Sequence, residues 1–260
     1  MQYNQKMRMP CGCLQTPTGQ LFPTHERCGN EMTLVLADID DVAFSDAFVV
    51  QRWMPDVRLI GPEKIPALDP VAWPTSVREL VRFRDRPMTA STSDSVVHFY
   101  ASDDKLRSVL ANPRKTLGRV QSFAAVITPD FSMYRNLPRH QRVFHTWSNR
   151  AVGALYQSHG IKVIPNIRWS RDEDFDFCFD GVPSDSAVAV SAHGCCARRE
   201  DRAYFRRGLE EMMRRVEPST VIVHGPKPAS IFHVIEDRAE IKHFPAAISS
   251  AHRRDGNGGR

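Results

Sequence analysis

From residue 76 onward, short runs rich in β-branched residues alternate with stretches of helical period, and that alternation limits the chain to few architectures. Residues 77–83 alternate apolar and polar side chains, as a half-buried strand does. Residues 96–100 form a β-rich run, followed by Ser102-Asp103-Asp104, a helix N-cap sequence. A helix then runs towards Asn112-Pro113, and a second piece follows it. The apolar run 123–128 ends at Pro129 and predicts a buried strand. Between Arg139 and Ser158, the residues Phe144, Trp147, Ala151 and Leu155 recur at helical spacing, which predicts a helix with one apolar face stopped by His159-Gly160. Residues 161–167, Ala187–Ser191 and Thr220–His224 read as further strands. Phe205, Leu209, Met212 and Val216 mark the core face of a helix that begins near Arg199 and stops at Pro218. The expected fold is α/β: a mostly parallel sheet of five or six strands with flanking helices, either open and doubly wound or a partial (β/α) barrel.

This core domain spans 76–248. Ahead of it, residues 31–75 read as a loop-rich N-terminal extension, because Pro55, Pro62, Pro66, Pro70 and Pro74 forbid any long regular element. Residues 1–30 are polar, carry three of the six cysteines, and read as a small Cys/His module or a disordered arm. The tail 249–260, ending Asp-Gly-Asn-Gly-Gly-Arg, is expected to be disordered. Aromatic and β-branched residues recur throughout, which excludes low-complexity disorder for most of the chain. No apolar run approaches the roughly 18 residues of a membrane span, and the first residues lack the apolar region of a secretory signal. The expectation is a cytoplasmic protein with no membrane partner; composition gives no signal for an oligomeric state.

The chain carries 35 basic and 30 acidic residues, a net +5, and 28 of the basic residues are arginine against 7 lysines. Arginine suits bidentate phosphate contacts, so nucleic acid or a nucleotide is a partner to test. A GC-rich coding genome accounts for the same bias. Six cysteines without an export signal read as thiols or metal ligands rather than a disulfide framework.

Several stretches between Val96 and Gly225 form an ordered set: His98-Phe99-Tyr100 with Asp103-Asp104, residues 128–134 (Thr-Pro-Asp-Phe-Ser-Met-Tyr), and Asn149-Arg150-Ala151-Val152-Gly153. After them come residues 160–165 (Gly-Ile-Lys-Val-Ile-Pro), Arg168-Trp169, residues 177–181 (Phe-Cys-Phe-Asp-Gly), and Pro218 with His224-Gly225. In these the chain resembles domain of unknown function 4417, a family of phages, plasmids and other mobile elements. His224 departs from the family pattern, which has tyrosine there. The resemblance implies a mobile-element context and an α/β fold, and no reaction.

In parallel α/β folds ligands bind at the carboxyl ends of the strands. Polar residues at those ends are Asp103 and Asp104, Asp130 with Arg135, Asn166 with Arg168 and Trp169, Ser191 with His193, and His224. A partly desolvated Asp130 suits a base, nucleophile or metal ligand. The competing role is an Asx turn onto Ser132. His193 and His224 each precede a glycine at equivalent strand ends, which suits acid–base work, metal ligation, or a simple loop bond. Asp130, His193 and His224 are the catalytic candidates. Arg135, Asn166, Arg168, Trp169 and Ser191 are the ligand-binding candidates, with Arg168 for an anion and Trp169 for stacking on a base or for core packing.

Two further constellations stand outside the rim. Cys11, Cys13, His25 and Cys28 supply four soft ligands within 18 positions, enough for a tetrahedral zinc site, though not at the spacing of a standard finger. Free thiols are the alternative. Along the helix near 199–216, Arg198, Arg202 and Arg206 form an i, i+4, i+8 stripe, a candidate nucleic-acid contact or a solvated outer face. There is no phosphate loop, dinucleotide-binding glycine pattern, His-Glu-x-x-His or nucleophile elbow. The leading expectation is an enzyme with a rim pocket acting on a nucleotide or nucleic-acid base. The rival is a non-catalytic accessory factor binding nucleic acid or protein.

Overall fold

The computed structural model describes residues 14–15, 21–22, 54–85 and 92–246. The chain divides into two compact units, residues 1–43 and 44–260. In the first unit, β1 (Leu14–Gln15) pairs antiparallel with β2 (Leu21–Phe22). The four candidate zinc ligands, Cys11, Cys13, His25 and Cys28, lie outside the described residues, as does the tail 249–260.

The second unit opens with a hairpin of β3 (Leu59–Ile60) and β4 (Ile65–Pro66). Seven parallel strands follow: β5 (Glu79–Arg82), β6 (Ser95–His98), β7 (Ala125–Ile127), β8 (Val163–Ile164), β9 (Ala187–Ser191), β10 (Thr220–His224) and β11 (Glu240–Phe244). Ladders join β5 through β8 and β9 through β11. A parallel bridge between Asn166 and Ala189 connects the two sets, with Ile167 N–H donating to Ala189 O at 2.8 Å. The spatial order is therefore the chain order.

Between the strands lie α1 (Asp103–Ala111), α2 (Pro113–Val120), α3 (Arg139–Ser158), a 3₁₀ turn (Asp172–Asp176), α4 (Arg199–Arg215) and α5 (Ala229–Phe232). Sequential parallel strands linked by crossovers of one hand put every helix on the same face. The side chains sort accordingly. Val97, Val126, Val163, Val188, Val190, Val221 and Val223 point outward into the helix layer. Their strand neighbours Val96, Ala125, Ile127, Ile164, Ala187, Ala189 and Ile222 point inward to a second core. Trp73, Val71 and Val77 from the N-terminal segment pack on that inner core. Without a reversal of strand order there is no doubly wound switch point.

The sheet also curls. In a flat sheet β6 and β10 would stand about 19 Å apart, four strand spacings, yet Tyr100 after β6 stacks on His224 of β10 with ring centroids at 4.2 Å. No ladder joins β5 to β11 among the described residues, so the sheet is an open, partial (β/α) barrel. Of the two architectures that the alternation permits, the sequential winding selects this one.

α3 departs from the single apolar face expected of it. Residues 148–156 are buried all round, while Phe144 and Trp147 are only half-buried. The hairpin covers the outer side of the helix: β4 packs on it, and Gln157 clamps the backbone of Asp69 through both its amide atoms, each at 2.9 Å.

Candidate functional site

Period two decides what reaches the inner mouth. On β5 Leu80 faces inward, and so does Arg82; on β6 Val96 is followed inward by His98 and Tyr100; on β8 Ile164 is followed by Asn166 and Arg168. Ser191 continues Ala187 and Ala189 on β9, and His224 continues Ile222 on β10. Asp130 enters from the loop after β7. All these residues lie at carboxyl ends of strands, on the rim where parallel barrels bind ligands.

The polar residues other than Arg82 form one connected chain of contacts. Asn166 Nδ2 donates to Asp130 Oδ1 at 2.7 Å, and Tyr100 Oη donates to Asn166 Oδ1 at 3.1 Å. Arg168 Nε stands 3.5 Å from Asp130 Oδ1, and its Nη1 donates to Ser191 O at 3.2 Å. Ser191 Oγ lies 3.5 Å from His224 Nδ1. His224 stacks on Tyr100, and its ring centroid is 5.0 Å from that of His98. Exposed His193 stands near enough to act electrostatically on both Asp130 and His224.

Electrostatics follow from burial. Asp130 is 8% exposed, and desolvation raises its carboxyl above the ordinary range, opposed by Arg168 and by the Asn166 hydrogen bond. Burial, reinforced by His224 and Arg82, lowers His98 to about 3. Burial, reinforced by His193 and Arg82, lowers His224 to about 4. Both imidazoles are neutral at pH 7. Burial also holds the Tyr100 phenol well above its usual value. The mouth thus combines a buried carboxylate, two neutral imidazoles and two guanidinium groups. That is a set able to move protons and to bind an anion.

Of the residues singled out from sequence, the structure brings Asp130, Asn166, Arg168, Ser191, His193 and His224 together. Ser132 N–H donates to Asp103 Oδ1 at 3.0 Å rather than to Asp130, so the competing Asx turn of Asp130 onto Ser132 is not formed. Two ligand-binding candidates lie elsewhere. Trp169 follows inward Arg168 and so points outward; it is 6% exposed, stacks on Phe205 at 5.3 Å, and donates Nε1–H to Tyr204 O at 3.2 Å. Its role is core packing in the helix layer. Arg135 pairs with Glu200 at 2.8 Å and Asp201 at 2.9 Å at the start of α4. Arg198, Arg202 and Arg206 are exposed, and Arg206 pairs with Glu210 at 3.8 Å.

Arg82 escaped the sequence reading, and His98 and Tyr100 entered it only as part of a family motif, with no site role. The alternation that places Leu80 and Val96 carries them too, since each lies an even number of residues further along its strand. Among the described residues no group of three or more His, Cys, Asp or Glu is arranged to hold a metal ion, and no helix is long and apolar enough to cross a membrane.

Residues 58–245 match the family model described as Domain of unknown function (DUF4417), a wider span than the motifs between Val96 and Gly225 mark out. The chain is 39% identical over 136 residues to the Gene 1 protein of Mycobacterium phage D29, covering 52% of this chain and 50% of that protein. It is 34% identical over 157 residues to the Gene 1 protein of Mycobacterium phage L5, covering 60% and 67% respectively. The matched region thus spans about half the length of the first of these relatives. No solved structure matches the chain.

Proposed function

This chain belongs to the DUF4417 family, a domain of phages and mobile elements, and from that membership and the rim geometry we propose that it is an enzyme acting on a nucleotide or a nucleic-acid base. One observation carries the reading. Five successive strands, β6 to β10, deliver Tyr100, Asp130, Asn166, Arg168, Ser191 and His224 into one contact chain at the carboxyl rim. Asp130 is the catalytic carboxylate, held by Asn166 and Arg168 where little water reaches it. His224 is the neutral acid–base partner, oriented by Tyr100 and Ser191, and His193 stands at the open side. The excess of arginine and the kinship with phage proteins support a substrate derived from nucleic acid.

The test is Asp130→Asn, which keeps shape and removes charge. Thermal stability and turnover of a nucleotide panel are measured side by side. An unchanged melting temperature is expected, with turnover lower by about 10²-fold or more. Turnover and ligand binding equal to wild type would leave Asp130 a structural group and favour an accessory factor.

A further inference from the structure

Within the rim site read above as an enzyme's, we propose a dedicated oxyanion subsite formed by Arg82, His98 and His224, which takes the phosphate of a nucleotide. The inference rests on that reading and narrows it from bases and nucleotides to phosphorylated substrates.

Three nitrogen-bearing side chains meet here. Arg82 and His98 are register partners on β5 and β6, and His224 reaches them across the curled sheet. Arg82 Nη1 pairs with Asp85 at 3.0 Å, but its Nε is buried and has no hydrogen-bond partner. A buried unpaired N–H is costly unless a ligand completes it. The side chain as a whole is 40% exposed.

The two imidazoles are oriented to match. Tyr100 N–H donates to His98 Nδ1 at 3.2 Å, so the proton of the neutral ring is on Nε2. The Ser191 hydroxyl lies 3.5 Å from His224 Nδ1, and a hydroxyl that donates there leaves Nε2 to carry the proton. Neither Nε2–H has a hydrogen-bond partner among the described residues. Two imidazole N–H groups and a guanidinium N–H, arriving from three strands, suit a tetrahedral oxyanion better than a planar carboxylate. Tyr100 and Asn166 link this group to Asp130, so the anion sits beside the acid–base partner His224 and not on the catalytic carboxylate itself.

The experiment measures binding of inorganic phosphate, nucleoside 5′-monophosphates and the corresponding nucleosides to the full chain by calorimetry, with the histidine ring signals followed by NMR. Phosphate is expected to move the ring signals of two histidines, and the monophosphates to bind at least about tenfold more tightly than the nucleosides. Arg82→Gln should abolish that advantage and leave nucleoside binding unchanged; should Arg82→Gln not fold, Arg82→Lys should weaken phosphate and keep part of the ring response. Asp130→Asn should keep phosphate binding, which separates the two ideas. Loss of turnover in Asp130→Asn with no effect of Arg82→Gln would overturn the subsite alone. Equal affinity for nucleotide and nucleoside, or no response to phosphate, would overturn it as well.

Discussion

Between α3 and the 3₁₀ turn, Asp174 accepts from Arg142 at 2.7 Å and from Ser170 N–H, Ser170 Oγ and Arg171 N–H, while Arg142 also donates to Leu137 O. Nearby Arg150, 1% exposed, spends its guanidinium on the carbonyls of Asn166, Cys178 and Asp180 and on Asn149 Oδ1. At the rim the comparable pair, Arg168 and Asp130, is 3.5 Å apart with side chains 24% and 10% exposed, against 5% and 0% for Arg142 and Asp174. Backbone partners complete the first cluster at folding. The second has a single backbone partner, Ser191 O, and at the same rim Arg82 Nε has no hydrogen-bond partner. Buried charge that the backbone finishes is architecture, and buried charge left incomplete is where a ligand belongs.

Breaking the first cluster should therefore cost stability, not function alone. Arg142→Ala strands Asp174 in a dry site, and a loss of about 3–5 kcal/mol is expected. Chemical denaturation measures it. A loss below about 1 kcal/mol would mean that water replaces the guanidinium and that the contrast with the rim is one of degree.

A smaller effect separates two neighbours in sequence. Arg168 belongs to the rim and Trp169 to the helix layer, where a Cβ at position 208 would fall within the indole. Gly208→Ala should displace Trp169 and cost about 1–3 kcal/mol by overpacking. Ligand binding at the rim should hold while the protein remains folded. If rim binding falls as steeply as stability, the two faces of the strand are coupled.

Much of this was legible locally. The helix Arg139–Ser158 and the strands Ala187–Ser191 and Thr220–His224 run where their patterns end. The rim candidates converge because parallel strands all present the same end. What lay beyond the local pattern was the choice of winding, since a doubly wound sheet and a sequential barrel share one strand–helix alternation and differ only in long-range order. β11 was missed because Glu240–Phe244 is an edge strand, partly exposed, with charged residues between its apolar ones. Trp169 stands beside Arg168 among the ligand-binding candidates, although period two sends adjacent residues to opposite faces.

The last prediction concerns acid. His98 and His224 sit at about 3 and about 4 in the folded chain, against an ordinary 6.5 in the unfolded one. Between pH 6.5 and 4 the unfolded chain takes up protons that the folded chain refuses, so stability is full above 6.5 and falls as the pH drops. Each fully shifted imidazole adds a slope of about 1.4 kcal/mol per pH unit. Asp130, raised by burial, acts in the opposite sense, because its folded form accepts a proton before its unfolded form does. The groups facing the two rings are Arg82, Tyr100, Ser191 and His193, and none of them is an acid that would favour the imidazolium. Denaturation midpoints taken from pH 7 to pH 4 should therefore drop steadily, and the double variant His98→Gln/His224→Gln should flatten the descent. A phosphate bound beside the rings favours their charged forms, so saturating inorganic phosphate should shift the descent of the wild type to lower pH and leave the double variant unmoved. The same descent in wild type and double variant would place the acid sensitivity outside the rim, and with it the claim that this mouth, rather than the closed cluster beside α3, holds the unfinished charge.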